Sequence, residues 1–314
     1  MVALNGGRPI GYEWLHTVHM PIFVFASGFL AVGKTNIPFI EYLVKKAKAI
    51  LIPYAAFFLL SLIAAEFYCR ALRGFFVKPD FLWIKAFAVT GVPLSDLSGK
   101  MGGFQLFVLW FFATLFFAHL IFWFISKLQK QYLIAIMALS YAASLLSMKI
   151  FKGASYTTPF NISAIPNFVL FMCFAAIFRL YLIGRISKKK KLILSISLIL
   201  LATLIQSTYP YMGGIKAPVT PMYIPVSLMQ ITGWYGLFSF IGRCKLLEYL
   251  GRISLYVYGL HIIFLGIFYA VLHKLGRNVH GNYPALLVIV VITITLCCLC
   301  FEMYSRIKFR LTNK

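Results

Sequence analysis

The stretch "VHMPIFVFASGFL", residues 18–30, decides how the rest of the chain is read. A histidine and a proline open an otherwise apolar run, a serine and a glycine sit inside it, and Lys34 closes it. A membrane crossing takes about 20 mainly apolar residues, and this segment with its flank over 18–33 meets that need. Outward from it the pattern repeats, at 49–68, 104–126, 131–149, 166–184, 191–209, 222–241, 253–272 and 284–303. The expected architecture is therefore all-α, a polytopic transmembrane helix bundle of about nine spans, with the whole chain, 1–314, as one integral membrane domain. The run "FLWIKAFAVTGVPL" from Phe81 is broken by Lys85 and bounded by prolines, so it reads as interfacial or re-entrant.

Composition agrees. Of 314 residues 61% are hydrophobic and 12% charged, with a mean hydropathy of +0.88, which is too apolar for the surface of a soluble domain. The net charge of +23 does not point to nucleic acid, because the Lys and Arg sit in the joints between apolar blocks, where they set orientation and meet anionic headgroups. One set of alternate joints holds 18 of them and the other 10, which predicts a cytoplasmic C-terminus and an outward N-terminus in a multi-pass bacterial inner or plasma membrane protein. Cys297, Cys298 and Cys300 lie inside the last apolar block and read as small hydrophobes facing lipid or neighbours. The first 17 residues lack the basic head and apolar core of a signal peptide.

Ionisable and amide side chains inside spans are costly, so each is a candidate for function, for anchoring or for contact between helices. His19 opens the first span, three residues after His16, so an extended helix would place both rings on one face. Beside Tyr12 and Trp14 they also suit interfacial anchoring. His261 follows "SLYVYGL" well inside the eighth span, where anchoring is not available. His119 is expected to hydrogen-bond across helices, while Glu66 and Arg179 sit near span ends and are expected to snorkel. Gln105 and Gln206 complete the group. Pro21 is expected early in its helix, where a missing N–H costs little, and Ser27 with Gly28 is small enough to admit a neighbouring helix. Lys45, Lys46 and Lys48 in "VKKAKAILIPY" either enforce topology or bind an anionic, phosphate-bearing ligand at the membrane face. The chain has no P-loop, nucleophile elbow, HExxH, CxxC pair or dinucleotide fingerprint in a suitable context, so any chemistry uses dispersed residues that meet in the bundle.

Three ordered stretches resemble the acyltransferase-3 family of integral membrane O-acyltransferases. "HMPIFVFASGFL" is similar to its His-Met-Pro, Ser-Gly second helix, "KKAKAILIPY" to the basic loop ending in Ile-Pro-Tyr, and "GRISLYVYGLH" to its late Leu-His helix. "FVLWFFATLFF" around Trp110 resembles the Leu-Trp-Phe helix of the fucose 4-O-acetylase branch. The resemblance implies about ten helices that move an acetyl or other acyl group from cytoplasmic acetyl-CoA to a hydroxyl of a cell-envelope polysaccharide or lipid-linked sugar. Acyl-CoA, the glycan acceptor and membrane lipids are then the partners, with no bound cofactor, metal or nucleic acid. In that frame His19 and His261 supply imidazoles to accept a hydroxyl proton, Lys45, Lys46 and Lys48 meet the acyl donor, and Trp110 and Tyr258 line the substrate path. The competing class is a glycan or lipid transporter or flippase, disfavoured by the lack of an internal repeat or paired broken helices. A glycan polymerase is expected to carry a longer outward loop than the one over 69–103.

Family members also carry an earlier helix with a basic residue followed, after ten positions, by a histidine. Arg8 and His19 have that spacing, but "PIGYEWLHTV" contains proline, glycine and glutamate and does not read as that helix. The odd number of spans and the outward N-terminus suggest one helix more. The expectation is a start that lies further upstream, or a truncated and inactive copy, with Gly28 built for the helix that is missing.

Overall fold

The computed structural model describes residues 12–73, 109–150, 158–182, 186–209, 212–215, 217–242, 244–275 and 283–312. Among these the chain is helical: α1 (Tyr12–Ala31), α2 (Phe39–Lys46), α3 (Ile52–Arg73), α4 (Trp110–Ile125), α5 (Tyr132–Ile150), α6 (Ile165–Ile177), α7 (Lys188–Ser207), α8 (Tyr223–Ile241), α9 (Lys245–Lys274) and α10 (Tyr283–Thr312). Each of the nine expected spans falls on one of these helices, and the amphipathic α2 is additional. Among the described residues six segments are long and apolar enough to cross a membrane, and α4 is a shorter apolar helix. Two-residue strands, β1 (Gly213–Gly214) and β2 (Ala217–Pro218), pair antiparallel in the α7–α8 connection. The re-entrant reading from Phe81, Lys85 and Gln105 lies outside the described residues, and so does the side chain of Glu66.

The helices form two compact units, one of α3, α9 and α10, the other of α1, α2 and α4 to α8. In the larger unit α6 is the central helix. Phe168, Val169, Leu170, Phe171, Met172 and Cys173 are all buried, as a helix apolar on every side must be when protein surrounds it. By contrast α5 and α7 expose Ile134, Leu139, Leu146, Ile193, Leu200 and Leu204, the apolar face that lipid covers in a bilayer. Helices approach closely where glycine removes the side chain. A Cβ on Gly28 of α1 would lie 2.6 Å from the Met172 Cα of α6. Gly233 and Gly236 of α8 likewise meet Ser195 and Ile199 of α7, small-residue contacts of the kind that bring membrane helices together. The neighbour that Gly28 admits is thus α6.

One other expectation is corrected. The first helix begins at Tyr12, six residues ahead of the expected 18, so Pro21 is interior to it and not in its first turn. Its ring cannot supply the N–H that would bond the Thr17 carbonyl, a loss that membrane helices tolerate when neighbours pack around the site. Arg179 is exposed near the end of its span and has protein partners as well. Its Nη1 donates to the carbonyls of Phe29 at 2.6 Å and Val32 at 3.3 Å, closing the end of α1, where unpaired carbonyls favour a cation.

In the smaller unit Gly259 of α9 lies against the Phe57 ring of α3. The Tyr256 ring contacts Phe57 at 6.0 Å and Phe301 at 4.9 Å between centroids. On α10 Cys297 is buried, Cys298 and Cys300 are half-buried, and all three are free thiols.

Candidate functional site

The larger unit brings together four polar side chains from three elements. His119 is the seat of the cluster, 1% exposed in an α4 whose other residues are almost all apolar. Ser27 Oγ of α1 lies 2.7 Å from its Nε2, Tyr42 Oη of α2 lies 3.1 Å from its Nδ1, and Lys46 Nζ of α2 lies 3.3 Å from Nε2. An ammonium only donates, so Nε2 is the acceptor nitrogen; Nδ1 then carries the proton and donates to the Tyr42 oxygen. Ser27, at the shorter distance, donates its hydroxyl proton to the same Nε2 lone pair.

Local structure explains why these groups meet. Tyr42 and Lys46 are four apart on α2 and share its inward face, with the Lys46 ammonium over the Tyr42 ring at 5.4 Å from its centroid. The segment ahead of α2 is stapled to the far end of α4. Trp123 Nε1 donates to the Ile37 carbonyl at 3.1 Å, and Lys127 Nζ to the Thr35 carbonyl at 2.9 Å. Phe39 packs on Trp123 and Phe124 at 5.2 and 5.1 Å between centroids. A π-helical turn, Ala47–Leu51, follows Lys46 directly, a local widening common near functional sites. The close Gly28–Met172 contact fixes α1 one residue from Ser27.

Burial sets the electrostatics of α2. It pushes the Tyr42 phenol well above its ordinary value, so the phenol stays neutral. Burial first, and the charge of Lys34 second, lower the Lys46 amine to about 8. Ser27 and Lys46 are half-buried, whereas His119 and Tyr42 are sealed beneath them. The cluster therefore has an inner base and an outer lip. A hydroxyl on a histidine whose other nitrogen is held by a third group is the arrangement that activates an oxygen nucleophile.

The residues singled out from sequence fall in both units. Of the three lysines only Lys46 turns inward; Lys45 is exposed and paired with Glu41 at 2.7 Å, and Lys48 is exposed. His19 lies two turns before Ser27 on α1, its Nδ1–H bonded to the Leu15 carbonyl at 2.6 Å and its ring edge-on to His16 at 5.0 Å, so the shared face is realised. Trp110 is buried against Phe111 and Phe168 at the start of α4. His261 and Tyr258 belong to the smaller unit. There His261 Nδ1–H faces the carbonyls of Val257 and Tyr258, both at 2.9 Å, and the Tyr258 ring stands 6.2 Å from its own. In His19 and His261 alike a carbonyl on Nδ1 leaves Nε2 as the lone-pair nitrogen.

A model of the acyltransferase domain, the acyltransferase-3 family, matches residues 4–303. The chain belongs to that family. No curated protein and no solved structure matches it. Membership makes acyl transfer the reaction class, and the apolar helices place this acyltransferase in a membrane with several crossings.

Sequence reasoning placed His119 among the polar groups of the spans and expected a bond across helices, which it makes. It took Ser27 for a packing residue and passed over Tyr42. The available signal was the Tyr42–Lys46 spacing on a short amphipathic helix, which gives α2 one polar inward pair.

Proposed function

We propose that this acyltransferase moves an acetyl group from acetyl-CoA at the cytoplasmic face to a hydroxyl of a cell-envelope polysaccharide or lipid-linked sugar. The supporting observation is the buried His119 with a hydroxyl 2.7 Å from its lone-pair nitrogen, directly beneath the lysine-rich turn. The positive-inside bias supports a cytoplasmic position for that turn, the side on which an acyl-CoA donor would approach. Exposed Lys45 and Lys48 attract the phosphates of the donor, since an exposed pair such as Lys45–Glu41 holds its lysine only weakly. Lys46 reaches past them to the reacting thioester. A hydroxyl is a poor nucleophile until a base takes its proton, and His119 Nε2 is that base. His19 in the larger unit and His261 in the smaller one each have Nδ1 held by their own helix, which leaves Nε2 as a nitrogen able to receive a hydroxyl proton, and Tyr258 stands beside His261 within its unit. The sugar acceptor is supported by the likeness of the Trp110 segment to the fucose 4-O-acetylase branch.

Membranes containing the chain, given radiolabelled acetyl-CoA, test this. Label is expected in the glycan fraction as a base-labile ester. His119→Ala, at equal membrane abundance, is expected to lower the rate about a hundredfold or more, the worth of a positioned general base. Unlabelled glycan with the wild-type chain refutes the reaction, and an undiminished rate in His119→Ala refutes the site.

A further inference from the structure

We propose that Ser27 is the first acceptor of the acyl group, so that transfer proceeds through an acyl-serine on α1. This inference rests on the acyltransferase reading above and adds a covalent step to it. Four other hydroxyls in the spans turn back onto their own helix: Ser195 to the Lys191 carbonyl, Thr203 to Ile199, Thr232 to Leu228 and Thr295 to Val291, while Ser147 and Thr114 reach backbone carbonyls of another element, Ser163 and Phe160. The bond within one helix is the ordinary resting place of a helical hydroxyl. Ser27 instead directs its oxygen across to His119 at 2.7 Å. The base is oriented by Tyr42 on its far nitrogen, and a cation stands beside its near one. Nucleophile, base and orienting group are thus in hydrogen-bond sequence, and the nucleophile is the member on the half-open lip.

The step balances. His119 Nε2 takes the proton of Ser27 Oγ as Oγ bonds to the thioester carbonyl carbon. The carbonyl electrons move to oxygen, next to the Lys46 ammonium, and return as the C–S bond breaks. The proton passes from Nε2 to the departing sulfur, giving free CoA and an acyl ester on Ser27. In the second half an acceptor hydroxyl gives its proton to Nε2 and bonds to the same carbon. The Ser27 C–O bond breaks, and the proton returns to Oγ. Nothing is oxidised or reduced.

The test uses the detergent-solubilised full chain with acetyl-CoA and no acceptor. A covalent intermediate exchanges isotope between labelled free CoA and acetyl-CoA, and leaves an added acetyl mass on the peptide that contains Ser27. Ser27→Ala is expected to lose the exchange by about a hundredfold or more, together with the adduct. Ser27→Cys is expected to carry a thioester that neutral hydroxylamine cleaves, whereas the wild-type oxygen ester resists it; a purely structural serine would not produce that change. Glycan transfer at the wild-type rate in Ser27→Ala, or transfer by the wild-type chain without exchange and adduct, overturns the inference and leaves the acyltransferase reading standing. A wild-type chain that neither transfers nor exchanges overturns both.

Discussion

Lys46 offers the sharpest quantitative test, because its charge is adjustable within an accessible pH range. Its ammonium lies 3.3 Å from His119 Nε2, which lies 2.7 Å from Ser27 Oγ. The charge therefore stands within about 6 Å of Ser27 Oγ, and for an oxyanion at a similar distance two unit charges attract by roughly 3 kcal/mol at an effective dielectric near 20. That is about a hundredfold in rate. Burial, aided by Lys34, lowers this amine to about 8, so the charge is present below that pH and lost as pH rises through it. Labelled acetyl transfer, measured from pH 6.5 to 9.5 with the spontaneous hydrolysis of acetyl-CoA subtracted, should fall above pH 8. Lys46→Met should run about a hundredfold slower near neutrality, with that alkaline limb abolished. Lys46→Arg keeps its charge and should stay active to the top of the range. An unchanged alkaline limb in Lys46→Met, or a loss under about threefold, would sink the electrostatic argument. The same shift carries a stability consequence of the opposite sense. A lysine whose folded value lies below its unfolded one opposes folding most strongly below pH 8, and the penalty fades as pH rises toward 10.5. Lys46→Met should accordingly be more stable at neutral pH, by up to about 3 kcal/mol, and the difference should shrink in alkali. A residue that costs stability and supplies rate is an expected trade at a functional site.

Two further predictions concern the scaffold that holds the cluster. Gly28→Leu forces a side chain against the Met172 backbone, which cannot yield as a flexible side chain would. A loss of about 1 to 3 kcal/mol should appear as a lower thermal midpoint in detergent, with transfer activity reduced because Ser27 is displaced; an unchanged midpoint would contradict the close packing of α1 and α6. Arg179→Met removes the donor to the Phe29 and Val32 carbonyls. Because Arg179 is exposed and water replaces the lost bonds, the cost should stay near or below about 1 kcal/mol, and a larger fall in the same melting assay would show that the end of α1 depends on it.

Much of the architecture was legible without coordinates of any kind. Long apolar blocks separated by short basic joints leave a chain few choices in lipid, where backbone groups must be satisfied within each helix; hence nine expected spans met nine helices. Boundaries were less legible. The polar flavour of "GYEWLHT" masked six more residues of α1, although such a helix can begin among interfacial groups. The ordered motifs also sufficed to place the chain in the acyltransferase-3 family, which the match over residues 4–303 bears out.

The chemistry of the cluster was another matter. Sequence by itself determined that His119 is a polar ring in an apolar helix and that a lysine run precedes the next span, because both are properties of local composition. Which lysine turns inward, and which hydroxyl faces the imidazole, depended on contacts across 92 residues between Ser27 and His119 and 73 between Lys46 and His119. Those pairings arise from helix rotation and approach, fixed here by Gly28 against Met172 and by the Trp123 and Lys127 staples. Hydrophobic periodicity reports only the average direction of an apolar face, and α4 is apolar nearly all round. Tertiary packing alone could therefore decide that one serine, read as a spacer, stands 2.7 Å from the buried base.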